Sequence, residues 1–76
     1  MPLKTSRGAT ATGRRIRSLR AALGITQADA ARRAGTTRQA WHQWERGAHE
    51  PGARALRGMM RVLGCSADDI LTGARR

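Results

Sequence analysis

From residue 13 onward, apolar side chains recur every three or four positions, and nearly every such run is closed by a glycine. That spacing predicts amphipathic helices. Ile16, Leu19 and Leu23 mark one face of a first helix, with Arg14, Arg15 and Arg17 on the other and Gly24 in the place of a C-cap residue. Ile25 follows as a short apolar link. Thr26 reads as the N-cap of a second helix, and Asp29 three residues on completes a capping box. This helix runs to about Ala34 and stops at Gly35, and its inner face is Ala30, Ala31 and Ala34, small enough to admit another helix closely. The linker Gly35-Thr36-Thr37 is too short for anything but an angled helix pair. In the third helix Ala40, Trp41 and Trp44 share one side, Arg38, Gln39, His42 and Gln43 the opposite one, and Gly47 ends it. Thr36 would use Gln39 in a capping box, whereas Thr37 as the cap would leave Gln39 free; the sequence leaves both open. Pro51 blocks continuation through the next loop. A fourth helix over about 52–63 turns Leu56, Met59, Met60 and Leu63 inward and Arg54, Arg57 and Arg61 outward, and Gly64 closes it. Ser66 and Asp69 start a last short helix carrying Ile70 and Leu71. The expected architecture is all-α: five helices over residues 13–73, no strand and no repeat, between a flexible basic arm at 1–12 and a basic tail at 74–76.

Composition adds that this core is thin. The chain has 76 residues, enough for one domain, and 14 of its 30 hydrophobic residues are alanine. Domains of this size usually need a staple or a partner. One cysteine cannot form an internal disulfide. His42 and His49 have no companions to complete a metal site, so no metal or cofactor is expected. A second copy of the chain or a bound polyanion is the expected supplement. No apolar run spans a membrane, and no signal-peptide core stands at the N-terminus, which predicts an intracellular protein. No nucleophile–base pair or phosphate loop appears, so no catalytic residue and no enzyme is expected.

The net charge is +10, from 15 Lys+Arg against 5 Asp+Glu. It points to nucleic acid or an anionic surface. Arginine outnumbers lysine 14 to 1, however, and Ala, Arg and Gly supply 37 of 76 residues, a bias that a GC-rich genome would also produce. The charge alone does not decide the function.

Residues 26–46 say more: a capped helix, a three-residue turn with glycine, and a helix showing Arg38, Gln39, His42 and Gln43 outward. An α-helix fits the DNA major groove, where arginine can pair bidentately with guanine and glutamine with adenine. The competing reading is a merely solvated face, and for His42 that reading stands level with base contact. Trp41 and Trp44 read as core residues, not base-stacking platforms.

The segments LRAALGITQ, AGTT, WERG, Pro51 and LGCSADDIL occur in the order found in the Cro/CI-type (XRE) helix-turn-helix family, which the chain resembles over about residues 14–73. The resemblance implies a compact lambda-repressor-like DNA-binding domain with its helix-turn-helix motif at 27–46. It implies base contacts from Arg38, Gln39, Gln43 and the neighbouring His42. Thr26, Gln27, Thr37 and Arg46, with Arg14 and Arg15, are the expected phosphate contacts. It implies a bridging pair between Arg20 and Glu45, and a dimer surface at Ile70 and Leu71. Ala30 replaces the family's usual leucine and Trp41 its usual isoleucine or valine, an exchange in which the indole fills what alanine leaves. Met60 stands where the family prefers alanine. The implied function is a regulator, foremost a repressor, binding a pseudopalindromic double-stranded operator as a homodimer in the cytoplasm of a bacterium or phage-infected host. An antitoxin that binds a toxin and represses its own operon is the alternative, and polymerase is a further candidate partner.

Overall fold

The computed structural model describes residues 11–71. Five helices form: α1 (Ala11–Ala22), α2 (Gln27–Ala34), α3 (Arg38–Arg46), α4 (Ala53–Leu63) and α5 (Ala67–Leu71), with no strand among the described residues. α1 begins two residues inside the expected arm; the rest of that arm and the basic tail lie outside the described residues.

Local chemistry sets the ends of the motif. Thr26 Oγ1 accepts from the Asp29 amide at 3.0 Å and starts α2. The Asp29 carboxylate does not close the expected box. It takes Arg32 Nη2 at 2.9 Å instead, and that guanidinium holds the carboxyl below the ordinary aspartate range. Thr37, not Thr36, caps α3, accepting from the Ala40 amide at 3.1 Å. Between the two helices Gly35 sits at φ 77°, a conformation that costs other residues a Cβ clash. Its amide and that of Thr36 satisfy the last carbonyls of α2. Ser66 and Asp69 make both bonds of a capping box and start α5.

The helices pack in a closed circuit, each against two others. α3 lies on α1 and α2, α4 on α2 and α5, and α5 on α1. Ile16, Ala30, Ala31, Trp41, Met59, Leu63 and Ile70 form the buried core. Leu19, Ile25, Ala34, Trp44, Leu56, Met60, Val62 and Cys65 are partly buried around it. Ala30 and Trp41 are both fully buried, so the small and the large departure from the family pattern sit in one core. Two glycines allow backbones to touch. A Cβ on Gly13 would stand 2.4 Å from the Glu45 carbonyl oxygen, and one on Gly58 2.6 Å from that of Ala34. The alanine face of α2 is thus one wall of a close crossing with α4.

Leu23 departs from the expected inner face and is 50% exposed. The α-helix ends at Ala22, and bonds from Leu23 to the Arg20 carbonyl and from Gly24 to that of Ala21 tighten the turn. The next residue, Ile25, packs against the core in its place.

Candidate nucleic-acid interface

α3 has two unlike sides. Trp41 and Glu45 are buried, and Trp44 packs beside Trp41 with ring centroids 6.2 Å apart at 65°. Arg38, Gln39, His42 and Arg46 are exposed, and Gln43 is half-buried. These five residues recur at helical spacing, so they share a side. Because Thr37 is the cap, Gln39 is not held in a capping box and its amide is available.

The only acid on α3 is kept away from that side. Glu45 is 5% exposed and accepts four side-chain hydrogen bonds. Arg20 Nε at 2.5 Å and Trp41 Nε1 at 2.7 Å donate to Oε2. Arg20 Nη2 at 3.2 Å and Gln27 Nε2 at 2.9 Å donate to Oε1. Arg20 Nη1 also donates to the Ile25 carbonyl at 2.8 Å. Burial pushes the Glu45 carboxyl up, but the donors from Arg20, Gln27 and Trp41 outweigh it and leave it below the ordinary glutamate range. One carboxylate therefore ties α3 to α1, α2 and the turn between them. No buried side-chain nitrogen or oxygen among the described residues lacks a partner.

The pairing of Arg20 with Glu45 was expected; the parts played by Trp41 and Gln27 in it were not. A signal existed. Trp41 lies one helical turn before Glu45, and a buried indole N–H needs an acceptor. Gln27 was expected only on the DNA backbone, yet one of its amide hydrogens is already committed to Glu45.

Thr26 and Thr37 stand exposed at the N-terminal ends of α2 and α3, where unpaired backbone N–H groups suit an anion. On α1, Arg14 is exposed and Arg15 half-buried. Both line a cleft of about 690 Å³ between α1, α4 and α5, with Ser18, Leu19, Leu63, Cys65 and Asp69. Arg15 Nε donates to the Ile70 carbonyl at 2.9 Å, and its Nη2 donates to that of Leu71. It caps the C-terminal end of α5, where cations are favoured. The reason is angular. Gly13 and Arg20 lie on the side of α1 that meets α3, and Arg15 is two helical positions around from Gly13. Ile70 is likewise corrected as a surface residue: it is fully buried in the core, while Leu71 is 37% exposed. Among the described residues no group of three or more His, Cys, Asp or Glu could hold a metal ion, and no helix is long and apolar enough to cross a membrane.

The model of the family described as a helix-turn-helix domain matches residues 11–72. Repressor protein C2 of Salmonella phage P22 is 39% identical over 61 residues, which are 80% of this chain and 28% of that protein. The chain thus spans little more than a quarter of that relative. A crystal structure of the P22 c2 repressor protein with synthetic operator 9T superposes with a TM-score of 0.81 at 37% identity, covering 86% of this chain and 98% of the other. The solution structure of the P22 c2 DNA-binding domain gives 0.79 at 36% identity, covering 88% of each chain. The clp gene regulator ClgR from C. glutamicum gives 0.72 at 31% identity, covering 80% of this chain and 79% of the other.

Proposed function

The chain belongs to the helix-turn-helix domain family, and on that premise we propose that it binds double-stranded DNA sequence-specifically and represses transcription. The observation that carries this reading is the two-sidedness of α3: Arg38, Gln39, His42 and Gln43 point one way while its only acid is buried and neutralised on the other. Such a helix can enter the major groove without presenting a carboxylate to the phosphates. Arg38, Gln39 and Gln43 read base edges, with His42 beside them. Thr26, Gln27, Thr37 and Arg46 hold the phosphate backbone on either side. A P22 repressor protein in complex with an operator, alike in fold and 37% identical, supports the same reading.

The protein acts in the cytoplasm of a bacterium or phage-infected host, without enzymatic activity. It acts as a dimer that places two α3 helices about 34 Å apart on a pseudopalindrome. With Ile70 committed to the core, exposed Leu71 is the apolar residue α5 offers to such a contact.

Arg38→Ala tests the base-reading part. On a duplex selected by the wild-type protein it is expected to cost about 1–3 kcal/mol, and on random duplex almost nothing beyond the loss of one positive charge. Equal losses on both duplexes, measured by fluorescence anisotropy at fixed salt, would refute base contact by Arg38.

A further inference from the structure

Gln27 is the first residue of α2, half-buried, with a primary amide that carries two N–H groups. One is donated to Glu45 Oε1. The other has no partner among the described residues, and it stands at a helix N-terminus, where unpaired backbone N–H groups already favour an anion. A glutamine side chain normally samples many rotamers. This one is held by a carboxylate whose own orientation is fixed by donors on both oxygens.

Trp41 supplies one of those donors, and it has no other polar task. Its indole is fully buried, and Nε1 bonds to Glu45 Oε2 at 2.7 Å from one turn earlier on the same helix. Without that N–H, Oε2 would keep only Arg20 Nε, and the carboxylate could turn about its last torsion to share the guanidinium differently. The bond from Gln27 would be the first affected, because it comes from a neutral side chain on another helix. A branched aliphatic residue at position 41 would fill space but donate nothing.

We propose that Trp41 is a positioning residue for DNA binding: its indole N–H sets the Glu45 carboxylate, which presents the free amide N–H of Gln27 to a backbone phosphate. Trp41 touches no DNA in this arrangement. It acts across α3 and α2 through one carboxylate, and the volume of its ring is a separate contribution to the core. The inference rests on the DNA-binding reading above and adds how the end of α2 is oriented.

The test separates donor from volume. Trp41 is replaced by 3-benzothienylalanine, near in shape to tryptophan but with sulfur in place of N–H, in a synthetic 76-residue chain. Trp41→Phe serves as the second, recombinant variant. Each is combined with Gln27→Ala, and affinity is measured on a duplex selected from random sequence by the wild-type protein. The expected result is a loss of about three- to tenfold for the benzothienyl protein and no further loss in the Gln27→Ala background. The side-chain amide protons of Gln27, separated by NMR in the wild type, should move toward free-glutamine positions in the same variant. An unchanged affinity, or the same loss with and without Gln27, overturns the proposal, since a merely structural effect would be additive. If Trp41→Phe does not fold, the benzothienyl cycle alone decides. Wild-type protein that fails to prefer any selected duplex would instead refute the DNA-binding reading.

Discussion

Glu45→Ala is expected to lower the free energy of unfolding by about 3–5 kcal/mol. Domains of this length are stabilised by about 4–11 kcal/mol in all, so the variant would lose a large share of its stability. The size follows from what is left behind. Arg20, with a side chain 14% exposed, loses its counter-ion, and the N–H groups of Trp41 and Gln27 lose their acceptor. Chemical denaturation should show the midpoint falling with little change in slope. A loss below about 1 kcal/mol would mean that the pair behaves as an exposed one. The pH dependence has a definite sign. The Glu45 carboxyl is lowered in the folded state, so its contribution is complete above the ordinary glutamate pKa. It is lost as the pH falls from there through the lowered folded value. The stability gap between wild type and Glu45→Gln should therefore narrow on acidification.

Gly13→Ala is the second large effect, and its sign opposes helix propensity. Inside an exposed helix this change would stabilise by roughly 0.5–1 kcal/mol. Here the new Cβ would lie 2.4 Å from the Glu45 carbonyl oxygen and 2.9 Å from that of Trp44. Both obstacles are backbone, so no side chain can swing aside. α1 and α3 must separate, which also stretches the bonds from Arg20 to Glu45. A net loss of about 2–3 kcal/mol is expected, at the upper end for overpacking. Thermal unfolding of the single variant checks it, and any gain in melting temperature would contradict the crossing seen here.

What the sequence reveals about this molecule is mostly what local chemistry decides. Thr26, Gly35 and Gly47 mark the ends of the motif because caps and left-handed turns depend on residues a few positions apart. The two faces of α3 follow from period alone. Gly13 shows the limit. In sequence it reads as the boundary of an arm, and only the approach of a helix some thirty residues later makes it a packing residue. Arg15 and Ile70 show the same limit from opposite sides. The arginine looks like a free cation but caps α5, and the isoleucine looks like surface payload but fills the core between α1 and its neighbours. Leu23 keeps the helical period yet falls outside the core, because the helix stops one residue before it. The candidate base-reading residues are legible for a different reason. Arg38, Gln39 and His42 are exposed, so their chemistry is visible without knowing what surrounds them.

The outward side of α3 is proposed to read base sequence. Selection of bound duplexes from a random pool, run in parallel with wild type and Arg38→Ala, tests it most directly. Wild type is expected to enrich one half-site, repeated about one helical turn away in inverted orientation, and Arg38→Ala to lose preference at one base pair of each half-site while keeping the rest. A wild-type pool that stays random after repeated rounds would contradict it.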